Sequence, residues 1–266
     1  MSKVILVTGG SSGLGAAICN HLASKGHTVY GTSRNATGNS INFSMISMDV
    51  CNRSSIQTAI HTIINKEGRI DVVINNAGLG MAAPIEEGSD KDIDKLFSTN
   101  VRGVINVMQE VLPQLRKQKS GLIINITSIA AEIALPFRGF YCASKAAVEK
   151  ITEAMRMELK EFGINACTFQ AGDIKTNINT NRLTAEVSKD SVYAKHFYRI
   201  NNEIHADVDK AVSPDFYAEK IEQIINSKTI RRNYVVGRFI QRLSRFLSRI
   251  LPGLWFEKII LNHYKL

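Results

Sequence analysis

Short runs of aliphatic and β-branched residues alternate with longer amphipathic segments along most of this chain, and no other feature restricts its fold so strongly. The apolar runs occupy residues 3–8, 28–33, 71–75, 122–127 and 164–170. Between them, residues 13–25, 54–66, 90–117 and 141–162 carry apolar side chains at helical spacing. A strand that is apolar at nearly every position must be covered on both faces, and a strand–helix–strand unit returns right-handed to a parallel neighbour. The expected fold is therefore α/β: a doubly wound, Rossmann-type parallel sheet with helices on both faces, in one domain over residues 1–237. Residues 173–212 are long, polar and weakly periodic, which predicts a substrate loop or lid. Residues 238–266 read as a basic amphipathic C-terminal extension.

The first apolar run ends in Thr8, Gly9, Gly10, Ser11, Ser12, Gly13, Leu14 and Gly15, and a helical segment follows at once. Glycines at 9, 13 and 15 allow a tight turn, a close backbone approach and close packing of helix on strand. The free N–H groups and positive dipole end of the new helix then suit a pyrophosphate. The spacing is GxxxGxG and not the GxGxxG of the general dinucleotide fingerprint. At the end of the second run, where NAD enzymes place an acid for the ribose 2′-hydroxyl, stand Ser33 and Arg34. No carboxylate there repels a 2′-phosphate, Arg34 can pair with it and Ser33 can donate to it, so the expected cofactor is NADP(H).

Further motifs follow in order: Asn75, Asn76, Ala77 and Gly78; Asn100 within a helical segment; Ser128 after a strand; and a YxxxK pair, Tyr141 and Lys145. On these motifs together with the glycine turn, the chain resembles the short-chain dehydrogenases/reductases over roughly residues 3–237. The stretch Leu135, Pro136, Phe137 before Tyr141, with Leu79 and Gly80 after Gly78, is most similar to the hydroxysteroid and retinol dehydrogenase branch. The resemblance implies catalytic roles for Asn100, Ser128, Tyr141 and Lys145. It also implies that Asp49 and Val50 meet adenine, that Asn76, Ala77 and Gly78 line the cofactor, and that Gly172, Ile174 and Thr176 border the nicotinamide. The family usually has Pro-Gly at the last of these turns. Here Ala171 replaces the proline, which predicts a looser turn.

The residues also carry a physical logic. Tyr141 and Lys145 lie one helical turn apart and share a face. A phenol with an ordinary pKa of about 10 is a poor base near neutrality, and an adjacent ammonium favours the phenolate. Tyr141 is then the general acid in reduction and general base in oxidation, with Ser128 hydrogen-bonded to the substrate oxygen. The resemblance implies that Asn100 helps to relay protons through water to Lys145. Ile129, Ile133, Leu135 and Phe137 follow Ser128 and are expected to line an apolar pocket.

Cys19, Cys51, Cys142 and Cys167 lack CxxC spacing and the six histidines lack HExxH, so no protein-held metal is expected. No segment reads as a signal peptide and no apolar run is long enough to span a bilayer, which predicts a cytoplasmic protein. Of the net charge of +9, residues 228–266 supply +8, with nine basic side chains against Glu257. Read as a helix, residues 239–251 gather Phe239, Ile240, Leu243, Phe246, Leu247, Ile250 and Leu251 on one face and Arg238, Arg242, Arg245 and Arg249 on a flank. Two readings stand for this tail: a peripheral contact with an anionic membrane, or packing over the substrate cleft or a partner subunit. No recognition motif accompanies the charge, so nucleic acid is not expected.

The function these features point to is an NADP(H)-dependent oxidoreductase. It would transfer a hydride between nicotinamide and a secondary alcohol or ketone, or a primary alcohol or aldehyde, of a small apolar steroid-, retinoid- or lipid-like substrate, as a homo-oligomer (dimer or tetramer). The alternatives are a 3-oxoacyl thioester reductase and, in another class, a catalytically silent NADPH-binding sensor or membrane-recruited scaffold.

Overall fold

The computed structural model describes residues 2–36, 42–175, 182–209 and 211–266. Its main sheet consists of β1 (Val4–Val7), β2 (Thr28–Ser33), β3 (Ser44–Ser47), β4 (Val72–Asn75), β6 (Gly121–Ser128), β7 (Ile164–Ala171) and β9 (Asn233–Val236). They stand in the order β3-β2-β1-β4-β6-β7-β9, and every neighbouring pair is parallel. A second, two-stranded sheet pairs β5 (Met81–Ala82) with β8 (Leu183–Thr184). The chain winds outward from β1 to β3, then returns to lay β4 on the other side of β1. That reversal opens a crevice at the carboxyl ends of β1 and β4, where sheets of this kind bind ligands.

Strict alternation along the strands builds a core on each face. Leu6, Val73 and Ile123 point to one side, where they meet α2 (Arg53–Glu67), α4 (Gly103–Gln118) and α5 (Gly139–Glu158). Ile5, Val7, Ile74, Ile124 and Phe169 point to the other, against α1 (Gly13–Ser24) and α7 (Pro214–Ile225). Each such side chain, fully buried, contributes about 1.5–3 kcal/mol relative to exposure. The helix ends carry their own signals. Asn52 caps α2 by accepting from Ser55 N–H at 3.1 Å, and Gly68, with φ of +73°, ends it.

Three expectations need correction. The predicted helix over 90–117 is α3 (Asp90–Phe97), a π-helical turn at Ser98–Arg102, and then α4. Residues 173–212 are not a plain loop, for they contain β8 and α6 (Ala194–Asp209), and a bridge from Ile174 to Val212 ties their ends. Ala194, Phe197, Ile200 and Ile204 are buried at helical spacing there, a period diluted by the polar residues between them. Strand β9, at the sheet edge, was not foreseen.

The tail folds as α8 (Phe239–Ile250) and α9 (Gly253–Tyr264), with Pro252 at the break. Its orientation reverses the usual pattern. Arg245 and Arg249 pair inward with Glu132, and Arg238 pairs with Asp173. Phe239, Ile240, Phe246 and Ile250 are left exposed, as are Leu254, Trp255 and Ile259 of α9. No helix among the described residues is long and apolar enough to cross a membrane.

Candidate active site

A cleft of about 900 Å³ runs along the carboxyl ends of β1, β2, β4, β6 and β7. Its first wall is the glycine turn. Gly9 and Gly13 have φ of +69° and +53°, conformations that tolerate little besides glycine. A Cβ at Gly15 would run into Gly9 O and Asn76 Nδ2, so helix and strand meet there without room for a side chain. Ser11, Ser12 and Gly13 are exposed at the start of α1, and Leu14 and Gly15 lie buried beneath. Ser12 makes no side-chain cap and the first turn holds no acid, so the N-terminal N–H groups face the cleft unopposed.

Thr8 and Asn76 fasten this wall to the next. The Thr8 hydroxyl accepts from the N–H groups of Asn76 and Ala77, each at 3.0 Å, and Asn76 Nδ2 donates to Thr8 O and Gly9 O. At the end of β2, Ser33 Oγ is buried without a hydrogen-bond partner, and Arg34 is exposed beside it. Asp49 and Val50 line the same part of the cleft. Asp49 Oδ1 also accepts from Cys51 N–H at 2.9 Å, which makes it a turn acid. Gly78, Gly172 and Ile174 line the opposite end, and Thr176 lies outside the described residues.

Ser128, Tyr141 and Lys145 converge at that end. Asn100 stands just behind them in the π-turn, where an extra residue per turn redirects the side chain. Its Oδ1 accepts from Leu79 N–H at 2.7 Å, and its Nδ2 donates to Leu79 O at 2.9 Å and to Ser144 Oγ at 3.1 Å. Lys145 Nζ donates to Ile126 O at 3.1 Å. A Cβ at Gly78 would fall 3.2 Å from Asn100 Oδ1 and 3.3 Å from Lys145 Nζ, so a glycine lets both groups approach.

Burial pushes the Lys145 ammonium down to about 8. Burial also pushes the Tyr141 phenol up, and the adjacent Ser128 hydroxyl and Arg138 guanidinium only partly offset it. Lys145 Nζ is 6.0 Å from the Tyr141 ring centre, and the cation that pulls the phenol down is Arg138. Tyr141 stands protonated at neutrality, the form a general acid needs.

The substrate end also departs from expectation. Ile129 and Ile133 are buried in the protein interior, and Leu135 and Phe137 pack toward α6 and Tyr264. None of the four lines the cleft; Leu79, Met81, Leu183 and Ile204 do. Arg138 and Arg182 stand among them. Burial, with the charge of Arg138 added, drives the Arg182 guanidinium below its ordinary value. Arg182 lies in a stretch with no periodicity, and nothing in the sequence marked it.

Beneath the site runs a buried polar network. Gln170 Nε2 donates to Glu149 Oε1 and, at 2.7 Å, to Glu132 Oε1, while Thr127 Oγ1 donates to Glu149 at 3.0 Å. Burial would raise the Glu132 carboxyl, but hydrogen bonds from Gln170 and Arg245 and the charges of Arg245 and Arg249 hold it below its ordinary value. A carboxyl depressed on folding stabilises the fold above its unfolded value, and that contribution is lost only as pH falls through the lower folded one.

Residues 3–187 match the family model described as short chain dehydrogenase. A 3-ketodihydrosphingosine reductase from Bacteroides thetaiotaomicron is 37% identical over 251 residues, 94% of this chain and 93% of that protein. An NADPH-dependent pterin aldehyde reductase from Arabidopsis thaliana is 34% identical over 189 residues, 67% of this chain and 78% of that protein. Among solved structures, a short-chain dehydrogenase from Streptomyces avermitilis superposes with a TM-score of 0.83 at 26% identity, over 100% of this chain and 97% of that one.

The lysine environment has a direct test. NMR titration of isotope-labelled lysines should show one ammonium, removed by Lys145→Met, with a midpoint of about 8. A full set of midpoints near the ordinary lysine value of about 10.4 would show that Lys145 is solvated.

Proposed function

The chain belongs to the short-chain dehydrogenase family, and from that premise we propose that it is an NADP(H)-dependent reductase of a ketone or aldehyde on a small apolar, lipid-like substrate. The observation that carries this reading is the convergence of Ser128, Tyr141 and Lys145 at one end of a cleft whose other end offers a free helix N-terminus.

The residues fit a dinucleotide with a 2′-phosphate. Gly9 and Gly13 hold the turn at positive φ below the exposed start of α1, Ser33 Oγ is an orphaned donor, and Arg34 has no ion pair among the described residues. Gly9, Ser11, Ser12, Gly13, Leu14 and Gly15 would hold the pyrophosphate, Ser33 and Arg34 the 2′-phosphate, Asp49 and Val50 the adenine. Asn76, Ala77, Gly78, Gly172, Ile174 and Thr176 would border the nicotinamide. When bound, NADPH supplies the hydride.

The chain's own groups supply the rest. Ser128 Oγ would hydrogen-bond the substrate carbonyl oxygen and stabilise the charge that grows on it. Tyr141 Oη would give that oxygen its proton. Lys145, cationic below a pH of about 8, would favour the phenolate left behind. Asn100, held by Leu79 and Ser144, would fix the floor on which that proton is replaced from solvent.

Leu79, Met81, Leu183 and Ile204 give the substrate end its apolar surface. The names of the Bacteroides and Arabidopsis relatives, reductases of a ketone and an aldehyde, agree with reduction as the reaction. A 3-oxoacyl thioester reductase, for which Arg138 and the tail arginines would meet an acidic carrier, is less well supported, because Arg238, Arg245 and Arg249 already face carboxylates of the body. A silent sensor would not need Ser128, Tyr141 and Lys145 together. Assembly into a dimer or tetramer is part of the same reading.

The tail adds a partner. Its outward face, with Phe246, Ile250, Leu254 and Trp255 exposed, suits shallow insertion into a membrane surface, and Arg242 and Lys258 remain to meet lipid phosphates. Of the four arginines on the predicted basic flank, Arg238, Arg245 and Arg249 pair with carboxylates of the body and leave Arg242 for this contact.

Three outcomes test the proposal. Tyr141→Phe should fold normally and lose about 10²-fold or more in turnover of a ketone with NADPH; near wild-type kcat would refute the mechanism. Arg34→Asp should weaken NADPH binding by about 2–4 kcal/mol and NADH binding far less, read by titrating both cofactors, because it exchanges a charge-assisted pair for repulsion. Liposomes containing anionic lipid should float the protein at low salt and fail to float Phe246→Ser/Trp255→Ser; equal flotation of the two proteins would retire the membrane contact.

A further inference from the structure

Helix α8 crosses the ends of the two strands that carry the reacting side of the cleft. The register of β6 and β7 sets Ser128 opposite Ala171, so the Ser128 segment and the Ala171–Gly172–Asp173 turn are the facing walls of one opening. The second wall holds the turn at which this chain has alanine where its family usually has proline. An alanine leaves φ free, and something else must hold the backbone.

The tail supplies it. Gln241 Nε2 donates to Asp173 Oδ2 at 2.6 Å, and Arg238 donates to the same oxygen at 3.1 Å. Gln241 Oε1 accepts from Arg238 N–H at 3.1 Å, which fixes the amide so that its other end must point at Asp173. The same Oε1 sits against Gly172 and Gly237 so closely that a Cβ at either glycine would collide with it. Gly172 N–H donates to Val236 O at 2.8 Å, and Tyr217 donates to Asp173 O at 3.0 Å. Four residues further along α8, Arg245 Nε donates to Glu132 Oε1 at 2.8 Å, and Arg249 Nε donates to Oε2 at 2.9 Å. Glu132 ends the short helical turn that begins at Ile129, directly after Ser128. One helix thus grips both walls.

We propose that Gln241, seconded by Arg238, is a positioning residue for the Ala171–Asp173 turn, and that α8 gives this turn the rigidity that a proline gives elsewhere in the family. The proposal rests on the reading of this turn as the border of the nicotinamide. Gln241 touches neither substrate nor reacting atoms; it acts through Asp173 and Gly172. The loss of one charge-assisted hydrogen bond costs enough to change local opening by about tenfold.

The test uses the full chain with Gln241→Ala and the near-isosteric Gln241→Glu, which cannot donate to Asp173. In the cofactor-free protein, hydrogen exchange at Gly172 should quicken about tenfold in both variants, while core amides in β1 and β4 and the melting temperature stay near wild type. Binding of 2′-phospho-ADP-ribose, which lacks nicotinamide, should be unchanged, NADPH should bind several-fold more weakly, and kcat should fall about tenfold. Ala171→Pro added to Gln241→Ala should restore slow exchange at Gly172 and recover NADPH affinity. Unchanged exchange at Gly172 in both variants would overturn the proposal. So would equal losses of NADPH and 2′-phospho-ADP-ribose affinity in a protein that still melts normally. If exchange quickens but NADPH affinity holds, the brace stands and the placement of nicotinamide at this turn is what fails.

Discussion

The hydroxyl of Thr8, which accepts from two consecutive backbone N–H groups at Asn76 and Ala77, is the joint on which this active end is built. It ties the chain leaving β1 to the chain leaving β4 at the one place where the winding of the sheet reverses. Without a fixed joint, two adjacent strands whose continuations diverge would splay, and the glycine turn would have no floor. With it, Asn76 can return its own side-chain amide to Thr8 O and Gly9 O, and backbone carbonyls that the turn leaves unpaired are satisfied. The glycine turn and the Asn76–Gly78 segment are thereby held together as one piece.

A second constraint lies lower, inside the sheet. Asn75 and Asn125 face each other across β4 and β6 and are hydrogen-bonded at 2.8 Å, and Asn125 also donates to Thr152 of α5 at 2.8 Å. Further along, Thr127, Glu149 and Gln170 link β6, α5 and β7 in the same manner. Apolar side chains in these places would pack as well, but they would slide. Polar groups buried together hold one register, because any other leaves donors unpaired at a cost of about 1–3 kcal/mol each. The helix that presents Tyr141 and Lys145 is therefore keyed to the strand that presents Ser128.

Much of this was legible in the sequence, for identifiable reasons. Buried parallel strands announce themselves as unbroken apolar runs, and β1, β2, β4, β6 and β7 fall within a residue or two of the runs that marked them. Glycines at positive φ or under a carbonyl have no substitutes, so Gly9, Gly13 and Gly15 marked their own turn. Edge strands β3 and β9 are half-exposed and carry no such run. The π-turn around Asn100 could not be seen, because hydrogen-bond register leaves no trace in periodicity. The reach of Arg182 into the cleft depends on a chain path that local sequence does not encode. Most instructive is α8: its amphipathic pattern was plain, but the usual inference from pattern to orientation fails where Glu132 and Asp173 wait to receive arginines.

The brace also has a place in time. Gln241 and Asp173 are 68 residues apart in sequence, and Arg249 and Glu132 are 117 apart. Contacts that close loops of this size carry a greater entropic cost than those within one strand–helix unit. As the chain leaves the ribosome, the strands that bear Ser128 and Ala171 are complete while α8 is still unsynthesised. The two walls that carry Ser128 and Ala171 are thus made before the helix that bridges them. The restraint on this end of the cleft comes from a helix that Ser128, Tyr141 and Lys145 all precede in the chain.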